Sequence, residues 1–115
     1  MSGIQYKKMI VNDVTFQLGQ RDSCLMTSDG DVMIIRNIIK RNDNSVCIVG
    51  NKFRQSEDYY DYPLPSSVLG ILKVSRLSTT RNVLELSDIQ AKNWLIHIPQ
   101  SQSYLSIPLL HTVIH

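Results

Sequence analysis

A small, mainly β domain closing into a partly open barrel is the fold this sequence predicts, and three observations predict it. Short runs rich in β-branched residues follow one another along most of the chain. Polar turns separate them at intervals of about ten residues, the spacing of a barrel or sandwich. Two stretches read as single helical turns, and no internal repeat or low-complexity segment is present. The single interruption is Glu57-Asp58-Tyr59-Tyr60-Asp61-Tyr62-Pro63-Leu64-Pro65, acidic and rich in tyrosine.

Taken in order, Met9 to Phe16 alternates loosely around the turn-favouring pair Asn12-Asp13 and reads as one bent strand or two short ones. Arg21 to Thr27 follows, and Ser28-Asp29-Gly30-Asp31 closes it with a glycine-bearing turn; together these suggest a hairpin. Val32 to Lys40 is dense in isoleucine and valine, which lose side-chain freedom in helices and fit a pleated surface, so it is assigned as strand. Arg41-Asn42-Asp43-Asn44 turns the chain into a further strand, Ser45 to Gly50. Asn51 to Pro65 has few aliphatics and two prolines, and reads as a long surface excursion rather than a central strand.

Ser66 to Gly70 reads as a short helical turn, capped by Ser66 and ended by Gly70. Ile71 to Leu77 and Val83 to Leu86 are strands around a Ser78-Thr79-Thr80-Arg81-Asn82 turn. Ser87 to Ala91 is one helical turn. Asn93 to Ile98 alternates cleanly, with Trp94, Ile96 and Ile98 on one face and Leu95 and His97 on the other. Tyr104 to Ile114 is the last strand, with Pro108 at an edge or bulge. The count is seven or eight strands.

At 115 residues the chain is long enough for one hydrophobic core, so residues 1–115 are expected to form a single domain. The Met1-Ser2-Gly3 start and the ending inside an apolar run suggest a domain excised from a larger protein. With 43% hydrophobic and 19% charged residues it lacks the bias of a disordered segment. The formal charge of +2 permits nucleic-acid binding without indicating it. No apolar stretch approaches membrane-helix length, which predicts a soluble, intracellular protein with no membrane partner. Cys24 and Cys47 belong to no CxxC pair and read as reduced core thiols.

Enzyme chemistry finds no foothold. His97, His111 and His115 lie in no metal-binding spacing, and the glycines are scattered singly, without a phosphate loop or nucleophile elbow. No catalytic residue, metal or cofactor is expected. The aromatic group is the better lead: Tyr59, Tyr60, Tyr62, Trp94 and Tyr104, with Asp58 and Asp61 beside them, have the composition of a peptide-binding rim or a site for a methylated ammonium group. The bland alternative is that Trp94 and Phe53 are core and the tyrosines anchor a loop. A second candidate is a stripe of Arg36, Lys40, Lys52 and Arg54 on neighbouring strands, suited to a nucleic-acid backbone or simply to a solvated sheet face. Self-association through an exposed Val32 to Ile39 edge is a third.

From Cys24 onward the order of elements resembles the bromo-adjacent homology (BAH) domain family. The residues behind this are Asp31-Val32-Met33-Ile34-Ile35-Arg36-Asn37-Ile38-Ile39, Gly50-Asn51-Lys52-Phe53-Arg54, the tyrosine/proline loop, Val74-Ser75-Arg76-Leu77, and Leu86-Ser87-Asp88-Ile89-Gln90-Ala91-Lys92. The family's aromatic-arginine-proline-glutamate strand core has no counterpart here. Pro108 to His111 is also similar to C-terminal segments of metazoan proteins of transposon-derived appearance. The resemblance implies a BAH-like or SH3-like barrel serving as a protein-interaction or chromatin-reading module, in the nucleus rather than the cytoplasm. The expected function is a non-catalytic module holding a protein or peptide partner through the tyrosine-rich loop. Nucleic-acid binding through the basic stripe, or homo-oligomerisation, is the alternative.

Overall fold

The computed structural model describes residues 3–11, 14–18 and 23–109. They form nine strands: β1 (Ile4–Tyr6), β2 (Lys8–Val11), β3 (Val14–Gln17), β4 (Cys24–Thr27), β5 (Val32–Lys40), β6 (Val46–Asp58), β7 (Leu72–Glu85), β8 (Ile89–His97) and β9 (Ser103–Pro108). Two 3-10 turns, Ser66–Leu69 and Leu86–Asp88, lie between them. Seven strands make one sheet in the order β1-β5-β4-β8-β9-β7-β6, and β6 pairs again with β5, so the sheet is partially closed. Every pairing is antiparallel, and β2 and β3 form a separate hairpin.

The mainly β class is therefore as the composition predicts, and β5 shows why its sequence is so uniformly apolar. Met33, Ile35 and Ile38 join Leu25, Ile48, Leu84 and Ile89 in one core cluster, which the β2–β3 hairpin covers with Val14 and Phe16. Val32, from the opposite face, joins Cys24, Phe53 and Val74 in a second cluster, with Ile34 and Tyr104 packed against it. A strand buried on both faces has no polar side to present, hence a near-continuous hydrophobic run. Gly50 sits close against β5: a Cβ there would overlap the Ile34 carbonyl oxygen and the Met33 side chain.

Several expectations are corrected. Asn51 to Asp58 is not loop but the second half of β6, paired with β7 from Leu72 to Arg81. Its last five residues are exposed, so no apolar alternation marks it as strand. Thirteen residues of strand reach roughly 43 Å, which accounts for a longest dimension of 48 Å. Ser78 to Asn82 is likewise no turn: β7 runs through it, and Ser78, Thr79 and Thr80 bulge opposite the single residue Lys52, between the pairs Phe53–Leu77 and Asn51–Arg81. The exposed β5 edge expected for self-association is occupied, with β6 on one side and β4 and β1 on the other. Met9 to Phe16 folds as two strands in a hairpin. The Asn12-Asp13 turn and the tail expected to continue β9 to Ile114 lie outside the described residues.

Candidate functional site

The tyrosine-rich segment is confined to residues 59–65, between the end of β6 and the 3-10 turn, and Ser66 organises it. This residue is fully buried. Its hydroxyl oxygen accepts the Tyr59 N–H at 2.7 Å, and its O–H donates to the Ile71 carbonyl at 2.8 Å. Its own N–H donates to the Tyr60 carbonyl at 2.8 Å. Pro65, not Ser66, occupies the cap position, and no side chain caps the turn there. Gly70 ends the turn in the left-handed region (φ 77°), which a glycine adopts without steric penalty. The Asp58 carboxylate accepts the Ser67 N–H at 2.7 Å, and the Ser67 hydrogen bonding holds its pKa below the usual value.

Asp58 is thus a brace of the loop, and Glu57 is engaged too, 3.7 Å from Lys73 across the strand pair. Asp61 is exposed, as are Tyr59, Tyr60 and Tyr62, the last at 89%. The Tyr59 and Tyr60 rings meet edge to face, centroids 6.5 Å apart. That geometry offers ring faces in two directions rather than a closed aromatic box.

An outward-facing apolar strip lies beyond the loop. Trp94 pairs with Ile107 and Ile96 with Leu105 across β8 and β9. Directly paired residues share a face, so these four side chains stand together. Trp94 is 44% and Ile96 38% exposed. The strip continues into a shallow groove of about 200 Å³ lined by Leu69, Ile71, Ile107 and Pro108, and Val68 and Leu69 stand exposed on the 3-10 turn at its end. The turn follows the tyrosine loop directly in the chain and reaches the groove through Leu69.

The structure does not bring Trp94 and Tyr104 together. Tyr104 pairs with His97, three positions along β8 from Trp94, which sets the two aromatics on opposite faces. Its ring lies 5.9 Å from that of Phe53 and 5.3 Å from that of His97, half-buried against the second core cluster. The sequence marks Trp94 and Ile96 as sharing a face. It does not reveal that this face points outward, or that Leu105, Ile107, Ile71 and Leu69 extend it.

The four basic residues sit in different local settings. Lys52 pairs with Asp31 at 3.2 Å. Lys40 ends β5, between Val46 of β6 and Ile4 of β1. Arg54 lies with Gln55, Ser56 and Glu57 on the exposed half of β6. Arg36 is the extra residue of a β5 bulge, between the pairs Ile35–Gly50 and Asn37–Val49. Its Nε donates to Asn51 Oδ1 at 2.9 Å.

Buried between the strands is a small polar cluster. Asn93 Nδ2 donates to Ser106 Oγ at 2.7 Å, while Asn93 Oδ1 has no partner. Cys24 hydrogen-bonds Ser106, and burial pushes its thiol pKa up to about 12, the reverse of what a nucleophile needs. Among the described residues no three His, Cys, Asp or Glu side chains are grouped to hold a metal ion, and no helix is long and apolar enough to cross a membrane.

Residues 1–109 match the family model of a domain of unknown function, DUF8592. The chain belongs to that family. No curated protein and no solved structure matches it. For this DUF8592 domain the surface geometry therefore carries the functional reading.

Proposed function

We propose that this domain is a non-catalytic interaction module that holds a peptide on the surface formed by the tyrosine loop and the Trp94 strip. The observation that carries the reading is the outward pairing of Trp94 with Ile107 and Ile96 with Leu105, running into the Leu69–Pro108 groove. Large apolar side chains grouped on a sheet exterior mark interaction sites more often than solvent-facing surface. The ligand best matched is an extended apolar segment carrying a lysine or arginine. Its apolar side chains lie along the strip, and its cation meets the exposed Tyr59 and Tyr60 rings and the Asp61 carboxylate. In this reading the partially closed sheet is a small barrel of the SH3-like or BAH-like kind. A nuclear, chromatin-associated partner is the expectation that the BAH resemblance adds.

The test is a peptide-library selection on the wild-type domain, followed by titration of a selected peptide into Trp94→Ala and Tyr60→Ala variants. A central aromatic anchor is worth about 2 kcal/mol or more at an interface, so Trp94→Ala is expected to weaken binding roughly thirtyfold with the fold intact. Enrichment of peptides that bind Trp94→Ala equally well would remove this surface from consideration. A mass that doubles with concentration, and returns to monomer in Trp94→Ala, would instead assign the strip to a second copy of the chain.

A further inference from the structure

A second recess, of about 360 Å³, opens beside the β5 bulge and is lined by Gln5, Tyr6, Lys7, Leu18, Arg36 and Asn37. We infer that it is a phosphate-binding site, with Arg36 as principal donor and Lys7 as second cation. This is independent of the peptide surface, and it regroups the basic residues: Lys7 joins Arg36, while Lys52 is engaged with Asp31.

Three features support the assignment. The guanidinium is held in place, because Nε donates to Asn51 Oδ1 and Asn51 Nδ2 in turn donates to the Thr80 carbonyl at 3.2 Å. Asn51 is 7% exposed, so this anchor is shielded from water. Among the described residues its Nη1 and Nη2 donors have no partner, and two parallel N–H groups from one guanidinium match two oxygens of a phosphate. Next, among the described residues neither Arg36 nor Lys7 has a carboxylate within ion-pair distance. The Lys7 backbone is fixed beside the recess by the Leu18 N–H, which donates to its carbonyl at 2.8 Å. Finally, Asn37 Oδ1 is occupied by the Ile38 N–H, which leaves its amide N–H groups to donate. Two cations and an amide donor, with no balancing acid among the described residues, favour a phosphate over a neutral ligand. Tyr6, 41% exposed at the rim, offers a ring on which a nucleobase stacks.

The experiment titrates three probes into the whole domain at low and moderate salt: inorganic phosphate, a nucleoside monophosphate and a short single-stranded oligonucleotide. The expected result is oligonucleotide binding whose log affinity falls against log salt with a slope of about −1.4, from about −0.7 per phosphate neutralised on a single strand. Lys7→Gln, which removes no side-chain hydrogen bond to any other described residue, should halve that slope. Arg36→Gln should weaken binding roughly tenfold or more, with its fold checked by circular dichroism. Tyr6→Ala weakening the nucleotide and oligonucleotide but not inorganic phosphate would identify a nucleotide as the source of the phosphate. Equal loss for all three probes would identify phosphate alone. No binding of any probe at low salt, or an unchanged slope in Lys7→Gln, would overturn the assignment.

Discussion

The Ser66 hydroxyl and the Tyr59 amide, 2.7 Å apart, connect the end of the longest hairpin to the tyrosine loop. The same hydroxyl donates to the Ile71 carbonyl, so one buried side chain satisfies a donor on one side of the loop and an acceptor on the other. Removing it leaves both backbone groups without a partner, where each buried and unsatisfied group carries a penalty. Ser66→Ala is expected to destabilise the domain by about 1–3 kcal/mol, read as a lower urea midpoint. Amide exchange should accelerate at Tyr59 and Tyr60 ahead of the β5 core. Unchanged protection at both tyrosines would show that the loop is held by other means.

Arg41 and Glu85 give the fold an acid-sensitive tie between the β5–β6 turn and the end of β7. Nη2 lies 2.8 Å from Oε1 and Nη1 lies 3.1 Å from Oε2, a two-pronged pair. The Arg41 hydrogen bonding depresses the Glu85 pKa below its ordinary 4.5, and Ser45 depresses that of Asp43 below 3.8. A carboxylate with a depressed folded pKa contributes stability above its unfolded pKa and loses it as pH falls through the folded value. The melting temperature should therefore drop on acidification below about pH 4.5, and Arg41→Met should flatten part of that drop while leaving stability near neutral pH almost unchanged. Glu85 is exposed and Arg41 only half-buried, so the effect is small. An acid profile identical in the variant would assign the sensitivity to other carboxylates, Asp58 among them.

The parts legible in the sequence are those where one side chain pattern meets one environment. Val32 to Lys40 reads as strand because isoleucine and valine serve both of its buried faces, and Asn93 to His97 because its residues alternate. The second half of β6 is invisible because Gln55 to Asp58 project past the core, where hydrogen bonding to β7 alone sets the conformation. Ser78-Thr79-Thr80 resembles a turn because a bulge uses the same small polar residues that turns do. At the candidate site, the tyrosine loop stands out by composition, but the outward direction of Trp94 depends on which face of β8 meets Val74 and Phe53, a fact of tertiary packing. The sequence does not group Lys7 with Arg36 for the same reason: the two are distant along the chain, and only the β1–β5 pairing brings β1 beside the bulge.

Cys24 supplies an alkaline counterpart to the acid tie. Its thiol is 2% exposed beside Val32 and Val74, and burial raises its pKa from 9.0 to about 12 against a smaller opposing hydrogen bond from Ser106. The folded state then holds the proton more tightly than the unfolded chain does. Stability from this group is fully present below about pH 9 and is lost as pH rises from there toward 12. Unfolding free energy is expected to fall more steeply with pH in the wild type than in Cys24→Ala, the difference between the two curves isolating this thiol from the tyrosines and lysines that titrate nearby. The same burial predicts slow chemistry: at about pH 8 roughly one thiol in ten thousand is ionised. Alkylation by iodoacetamide in the native state should therefore be slow and should accelerate sharply once urea unfolds the chain. Rapid native-state modification of Cys24, mapped by peptide mass analysis, would mean that the cluster of Cys24, Ser106 and Asn93 opens to solvent, and the pH dependence would vanish with it.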